Sequence, residues 1–275
     1  MDDRERTIQD FGAQFTRHRE PVGYRTSVAW LGEVCGPLLS PDELRGRRVM
    51  EIGSGNGRLV NVLLDAGVAH VVAVEPSEAF DVLVENTRER AERVTCVRAR
   101  GDEAPDAEVD DIFSIGVLHH VPDPGPVVRR AFEVLRPGGR FVVWLYAREG
   151  NELYLALASP LRRLTRRLPD AVLVALSRAL ALGLTLYAGL CRFLPLPMRD
   201  YMRTVRERYG FEEKTQIVFD QLNPTHARYY RREEALALLG DGGFEDVRAW
   251  HHGGRGWTLV GRKPASPRAG YFSST

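Results

Sequence analysis

Lysine is nearly missing from this chain: of 38 basic residues, only Lys214 and Lys263 are lysines. So one-sided a choice of arginine reflects coding bias, and it weakens any argument built on an arginine cluster alone. Cysteine is also scarce. Cys35, Cys96 and Cys191 lie far apart, so no pair has the spacing of a metal site or a redox motif. Net charge is almost absent at +1, giving no reason at whole-chain level to expect a nucleic-acid or strongly acidic partner. The opening MDDRERTIQD is charged throughout, so no leader is expected there and a reduced, cytoplasmic location is the simplest reading. Internal repeats are absent too.

From Arg47 to Tyr146 strand-like and helix-like segments alternate. RRVMEI, HVVAVE, VTCVRA, DDIFSIGVL and RFVVWLY read as strands. Between them GRLVNVLLDAG, PSEAFDVLVENTRERAERV and PVVRRAFEVLRPGG read as helices. Such alternation implies right-handed crossovers and an α/β, doubly wound, mostly parallel sheet. Residues 150–220 break the pattern and are expected to be helical. RREEALALLGDGGF then gives one more helix, and FEDVRAW and GWTLVGR close the chain as strands joined through HHGGR. Proline, serine and glycine after Lys263 suggest a loose tail over 264–275.

The loop VMEIGSGNGRLV carries glycines at 53, 55 and 57 between a strand and a helix. A nucleoside-triphosphate loop would end in Gly-Lys-Ser/Thr, and a dinucleotide loop would place its third glycine at 58, where Arg58 stands. What remains is Glu-x-Gly-x-Gly-x-Gly from Glu51. The next strand ends at Glu75, where a carboxylate facing the crevice can accept both ribose hydroxyl protons. The third strand leads into GDEAPD, setting Asp102 beside the same crevice, where an adenine amino group could donate to it.

Together with GVLHH after the fourth strand and LRPGG before the fifth, this series resembles the class I S-adenosylmethionine (SAM)-dependent methyltransferases, over about Gly46 to Tyr146 and more weakly at the ends. The resemblance implies a Rossmann-like seven-stranded sheet with an antiparallel last strand. It implies SAM as cofactor, with Glu51, Gly53, Gly55 and Gly57 along its methionine part. Glu75 would hold the ribose, Asp102 and the backbone of Glu103 the adenine, and the backbone of Ile115 and Gly116 the methionyl amino group. Ser54 and Asn56 are ordinary variants of the loop.

The sulfonium of SAM is already electrophilic, so the protein's main task is to align a nucleophile and exclude water. A hydroxyl nucleophile also needs a base, a role suited to histidine. His119 and His120 follow the fourth strand, and related O-methyltransferases use such a pair for proton abstraction. His226 in FDQLNPTHARYY is the second candidate. Tyr229 and Tyr230 are read as core in preference to an acceptor wall, and His251 and His252 as surface residues far from the crevice. No metal is indicated, since Asp110 and Asp111 precede the fourth strand, at the wrong end of the sheet.

Residues 1–45 are expected to form a helical lid, with Phe15 and Tyr24 packing it. The core comprises 46–149 and 221–263, and 150–220 form a helical cap insertion over the acceptor site. Ala171 to Leu190 carries one charge, Arg178, and approaches the length of a membrane span. Arginine near its middle and two glycines argue against crossing a bilayer, and a helix apolar all round is otherwise buried. Stable membrane insertion is therefore not expected, while contact with a membrane surface stays open. Residues 151–210 hold ten arginines against four carboxylates, a local net of +6.

The expected activity is methyl transfer to a small molecule, at a hydroxyl of a secondary metabolite or glycan. N- or C-methylation of a hydrophobic, lipid-like acceptor is the alternative, and a non-catalytic SAM-fold binding protein is another. Nucleic acid is not expected as the acceptor, because GVLHH stands where an Asn/Asp-Pro-Pro-aromatic segment would be required.

Overall fold

The computed structural model describes residues 3–17, 19, 26–152, 155, 170–197, 199–222 and 227–265. They belong to two compact units: Met1–Pro21, Thr26–Asn151 and His226–Thr275 make the first, and Val22–Arg25 with Glu152–Thr225 the second.

The first unit is built on a seven-stranded sheet among the described residues. Its strands are β1 (Arg48–Ile52), β2 (His70–Val74), β3 (Val94–Val97), β4 (Val109–Ile115), β5 (Leu135–Tyr146), β6 (Glu245–His252) and β7 (Gly256–Arg262), in spatial order β3-β2-β1-β4-β5-β7-β6. All neighbours are parallel except β7, which runs antiparallel to both β5 and β6. Strands of Val, Ile and Phe without alternation belong in a sheet covered on both faces. Met50, Ile52, Val72, Val74, Ile112, Phe141 and Val143 accordingly lie in one buried cluster. The unit's helices are α1 (Asp3–Arg17), α2 (Val28–Cys35), α3 (Arg58–Asp65), α4 (Ala79–Thr87) and α5 (Gly125–Val134), with a last helix, α9 (Arg232–Gly240), before β6.

Several boundaries differ from the sequence reading, for local reasons. The helix α5 stops at Val134, not Gly139, because Pro137 lacks an N–H and would strike the preceding turn. Leu135 to Gly139 instead join β5, across a shift in its register with β4. The second crossover helix starts at Ala79, three residues after Pro76, because Glu75 captures the N–H and hydroxyl of Ser77 in a turn. β6 runs on through His251 and His252.

At the opposite end of the sheet from the glycine loop, Asp111 is fully buried between two arginines. Arg140 donates to it at 2.6 Å, Arg47 forms a second short contact, and Arg140 reaches on to Glu43 at 2.7 Å. That carboxylate is a structural clamp.

The second unit, described by itself, is helical: α6 (Asp170–Leu190), α7 (Arg199–Arg208) and α8 (Phe211–Leu222). Leu173 of α6 packs with Phe219 of α8, and Ala188 and Cys191 pack with Met202 of α7.

Candidate active site

The loop after β1 turns back over the strand ends. Gly53 and Ser54 donate to the carbonyl of Val74 at 2.9 and 3.1 Å, and Gly57 donates to Ser54 before α3 begins. Gly55 has φ +53°, and a Cβ there would lie 2.8 Å from the ring of Phe15. Only glycine fits that position. Its N–H donates to Glu75 at 2.8 Å, so the carboxylate at the end of β2 fastens the loop that ends β1. The other oxygen of Glu75 accepts from the N–H and hydroxyl of Ser77. Three donors still leave a carboxylate acceptor capacity for a further hydroxyl.

A cleft opens at these carboxyl strand ends. Glu51, Gly53, Ser54 and Asn56 line it from the loop, Glu75 from β2, Asp102 from the turn after β3, and Ile115 to Val117 with His120 from the end of β4. It encloses about 1080 Å³ of empty space including its mouth, ample for a nucleoside-sized ligand. Gly116 has φ +82°, and a Cβ there would point into open space within the cleft.

Glu51 is buried, and its Oε2 has no hydrogen-bond partner. Burial pushes its carboxyl up to about 8, against the opposing pull of Arg58. A buried acceptor of that kind fits a cationic donor. Arg58 also lines the cleft, with its guanidinium over the ring of Trp30 at 4.6 Å. The zwitterionic end of SAM matches this set: an ammonium for Glu51 and a carboxylate for Arg58. The cofactor therefore fits the residues present. The sequence reading missed Arg58, although its place at the first turn of α3, directly after the loop, was the available signal.

The helix α1 forms another wall. Ile8, Phe11 and Phe15 share one face of it and line the cleft. Arg4 donates to Asp102 at 2.9 Å, and Arg100 meets the other oxygen at 3.3 Å. Asp102 thus stands at the cleft already engaged with two guanidiniums. Glu103 does not reach it: the side chain is exposed and paired with Arg100, and its N–H donates within the turn to the carbonyl of Arg100.

The two histidines separate clearly. His120 is buried on the cleft wall, its ring 4.7 Å from Phe11. His119 is turned away and fully buried, its ring 3.9 Å from that of Tyr146 and at the edge of Trp144. Tyr229 also stacks on Tyr146, at 5.1 Å, and the carbonyl of His119 accepts from the N–H of Arg228. His119, Tyr146 and Tyr229 therefore form a stack behind His120. Tyr230 is core, as its burial requires.

His251 and His252 are half-buried, not surface residues: His252 accepts from Trp144 at 3.1 Å, and His251 stacks on Trp257. Hairpin pairing brings them onto β5, which the linear sequence hides. His226 and Tyr24 lie outside the described residues. Among the described residues no cluster of His, Cys, Asp and Glu is arranged to hold a metal ion.

A glycine loop, a carboxylate on the second strand and a cleft at the carboxyl strand ends define the class: a SAM-dependent methyltransferase domain on a Rossmann-like fold. Residues 50–143 match a family model described as a methyltransferase domain. Known proteins agree. The chain is 36% identical over 129 residues to a tRNA U34 carboxymethyltransferase of Chromohalobacter salexigens, covering 44% of this chain and 38% of that protein. It is 36% identical over 106 residues to a 27-O-demethylrifamycin SV methyltransferase of Amycolatopsis mediterranei, covering 36% of this chain and 38% of that protein. The chain thus spans under half the length of both relatives. A solved 1,6-didemethyltoxoflavin-N1-methyltransferase of Burkholderia thailandensis shares the fold, with a TM-score of 0.51, 19% identity, and coverage of 93% of this chain and 86% of that one.

Proposed function

We propose that this chain is a SAM-dependent O-methyltransferase acting on a small-molecule hydroxyl, with His120 as the general base. The observation that carries the reading is the position of His120, on the same cleft wall as Gly116 and facing a cleft shared with Glu51 and Glu75. SAM supplies a methyl group on a sulfonium, which is electrophilic without further activation. Glu51 Oε2 would accept from the methionyl ammonium and Arg58 would hold the carboxylate. Glu75 would accept from a ribose hydroxyl with the acceptor capacity that Gly55 and Ser77 leave, and Asp102 would accept from the adenine amino group while keeping its arginines. Phe11 and Phe15 exclude water from the reacting centre. His120 would take the acceptor's hydroxyl proton on a ring nitrogen, leaving the oxygen to receive the methyl group as that group's bond to sulfur breaks. His119 is a positioning residue, keeping the ring of His120 against Phe11 from its seat on Tyr146.

The relatives differ in acceptor, one named for tRNA and one for a rifamycin. Phe11 against His120, with Phe15 and Ile8 on the same wall, favours a small molecule with an apolar body. Turnover assays with aromatic and sugar hydroxyl panels, and with tRNA, test this. Replacing His120 by Asn is expected to slow transfer about 100- to 10,000-fold with unchanged affinity for S-adenosylhomocysteine. Full activity of the variant on the same acceptor would remove the base, and activity on tRNA alone would remove the small molecule.

A further inference from the structure

The helix α6 has two faces of opposite fate and the same chemistry. Leu173, Ser177, Ala181, Ala188 and Cys191 are buried, a spacing that repeats along one side of a helix, and they face α7 and α8. On the opposite side lie Ala175, Ala179, Leu182, Leu186 and Leu190, all exposed. Leu182 is 53% exposed, Leu186 62% and Leu190 51%. Phe193, in the turn that follows, is 77% exposed, with Leu194 beside it at 48%. From Ala175 to Leu190 the outward stripe runs about 22 Å at roughly 1.5 Å per residue, and it is not the scattered exposed leucine that any surface carries.

Charge selects what covers it. The segment 151–210 carries a net of +6, which leaves −5 on the rest of the chain. Arg178 and Arg192 are exposed at the border of the stripe, and Arg199, Arg203 and Arg206 are exposed on the neighbouring α7. A second copy of this chain would bring the same positive field against itself. Nucleic acid would match the charge but has no use for a row of leucines. An anionic bilayer matches both, taking the leucines at the acyl boundary and the guanidiniums among the headgroups. A true span is disfavoured, because Leu173 near the start of the inner face is committed to α8, and Ala188 and Cys191 at its end to α7.

We propose that the outer face of α6, with Phe193 and Leu194, docks the protein on anionic membrane surfaces, α6 lying in the plane of the interface. The inference concerns the helical unit alone and stands whether or not the acceptor is a hydroxyl.

Co-sedimentation of the full chain with phosphatidylcholine vesicles, with and without phosphatidylglycerol, tests it. Binding is expected only with phosphatidylglycerol and should weaken as salt rises. The double variant Leu186→Glu/Phe193→Glu should lower partitioning at least about tenfold, since each side chain loses a buried apolar contact. Arg178→Gln/Arg192→Gln should weaken binding and flatten its salt dependence. Calorimetric affinity for S-adenosylhomocysteine and circular dichroism should stay unchanged in both, which separates lost docking from lost folding. The proposal would be overturned by no binding to anionic vesicles, by binding that the glutamates do not affect, by a dimer in sedimentation that the glutamates dissociate, or by tRNA binding in place of vesicle binding. Protein that resists extraction by high salt and alkaline carbonate would overturn it in favour of a span.

Discussion

The sheet unit and the helical insertion depart from an oil-drop interior in opposite directions. In the sheet unit the departure is polar groups inside: Glu51, Glu75, Ser77 and both histidines of the pair are buried at the carboxyl strand ends. In the insertion it is apolar groups outside, along one face of α6. Neither departure helps folding, since burying a carboxylate and exposing leucine both cost free energy. Both therefore point to function: the first to a cofactor site, the second to a docking surface. The two regions also show that hydrophobicity along the chain does not predict burial: Phe141 and Val143 of β5 are fully buried, while Leu182 and Leu186 of the more apolar α6 are exposed.

The contrast can be broken most sharply at matched apolar positions. Phe141, on β5, is fully buried in the main core cluster. Truncation to Ala should cost about 3–5 kcal/mol in chemical denaturation, through lost contacts and the cavity left behind. Intact stability in that variant would mean that the sheet core is looser than its packing indicates.

Next in size is the polar side of the contrast. Glu75→Ala removes a charged acceptor from the N–H of Gly55 and from the ribose side of the cleft. Affinity for S-adenosylhomocysteine should fall by about 1.5–3 kcal/mol, read by calorimetry. Glu75→Gln, which keeps an acceptor oxygen, should recover part of it.

Glu51 sharpens the same contrast through pH. Its carboxyl titrates near 8 when folded and near 4.5 when unfolded. Between those values the folded chain holds the extra proton. The stabilising contribution is thus complete below about 4.5 and is lost as pH rises through 8. Ligand-free Glu51→Gln should therefore show a flatter fall in melting temperature across that window, while binding S-adenosylhomocysteine more weakly. Parallel melting profiles for the two proteins would show that Glu51 is not held protonated.

The smallest effect belongs to the exposed stripe. Leu186→Ser should change unfolding free energy by no more than about 0.5 kcal/mol, because the side chain makes little contact that folding creates. A loss comparable with that of Phe141→Ala would mean that the outer face of α6 is covered within the protein.

How much of this was legible varied with the range of the interaction responsible. The glycine loop, Glu51 and Glu75 were readable because a strand, a tight turn and a helix start are written in adjacent residues. Boundaries failed where a side chain just outside the helix pattern competed for its first residues, as when Glu75 holds Ser77 and delays α4 to Ala79. Asp102 was placed at the cleft by its strand end, but its ion pair with Arg4 spans 98 residues and leaves no local trace.

By itself, then, the sequence determined the alternation of strands and crossovers, the sharp turn that only glycines allow, and the presence of a histidine pair at the end of the fourth strand. These follow from backbone sterics and hydrophobic period, which act over a few residues. Tertiary structure alone decided which histidine meets the cleft, since the ring of Tyr146 on β5 holds His119 away and Phe11 on α1 receives His120. It also decided that His252 would bind Trp144 and that half of an all-apolar helix would stay uncovered. Each of these depends on partners distant in the chain, and burial is a property of neighbours that no residue carries alone.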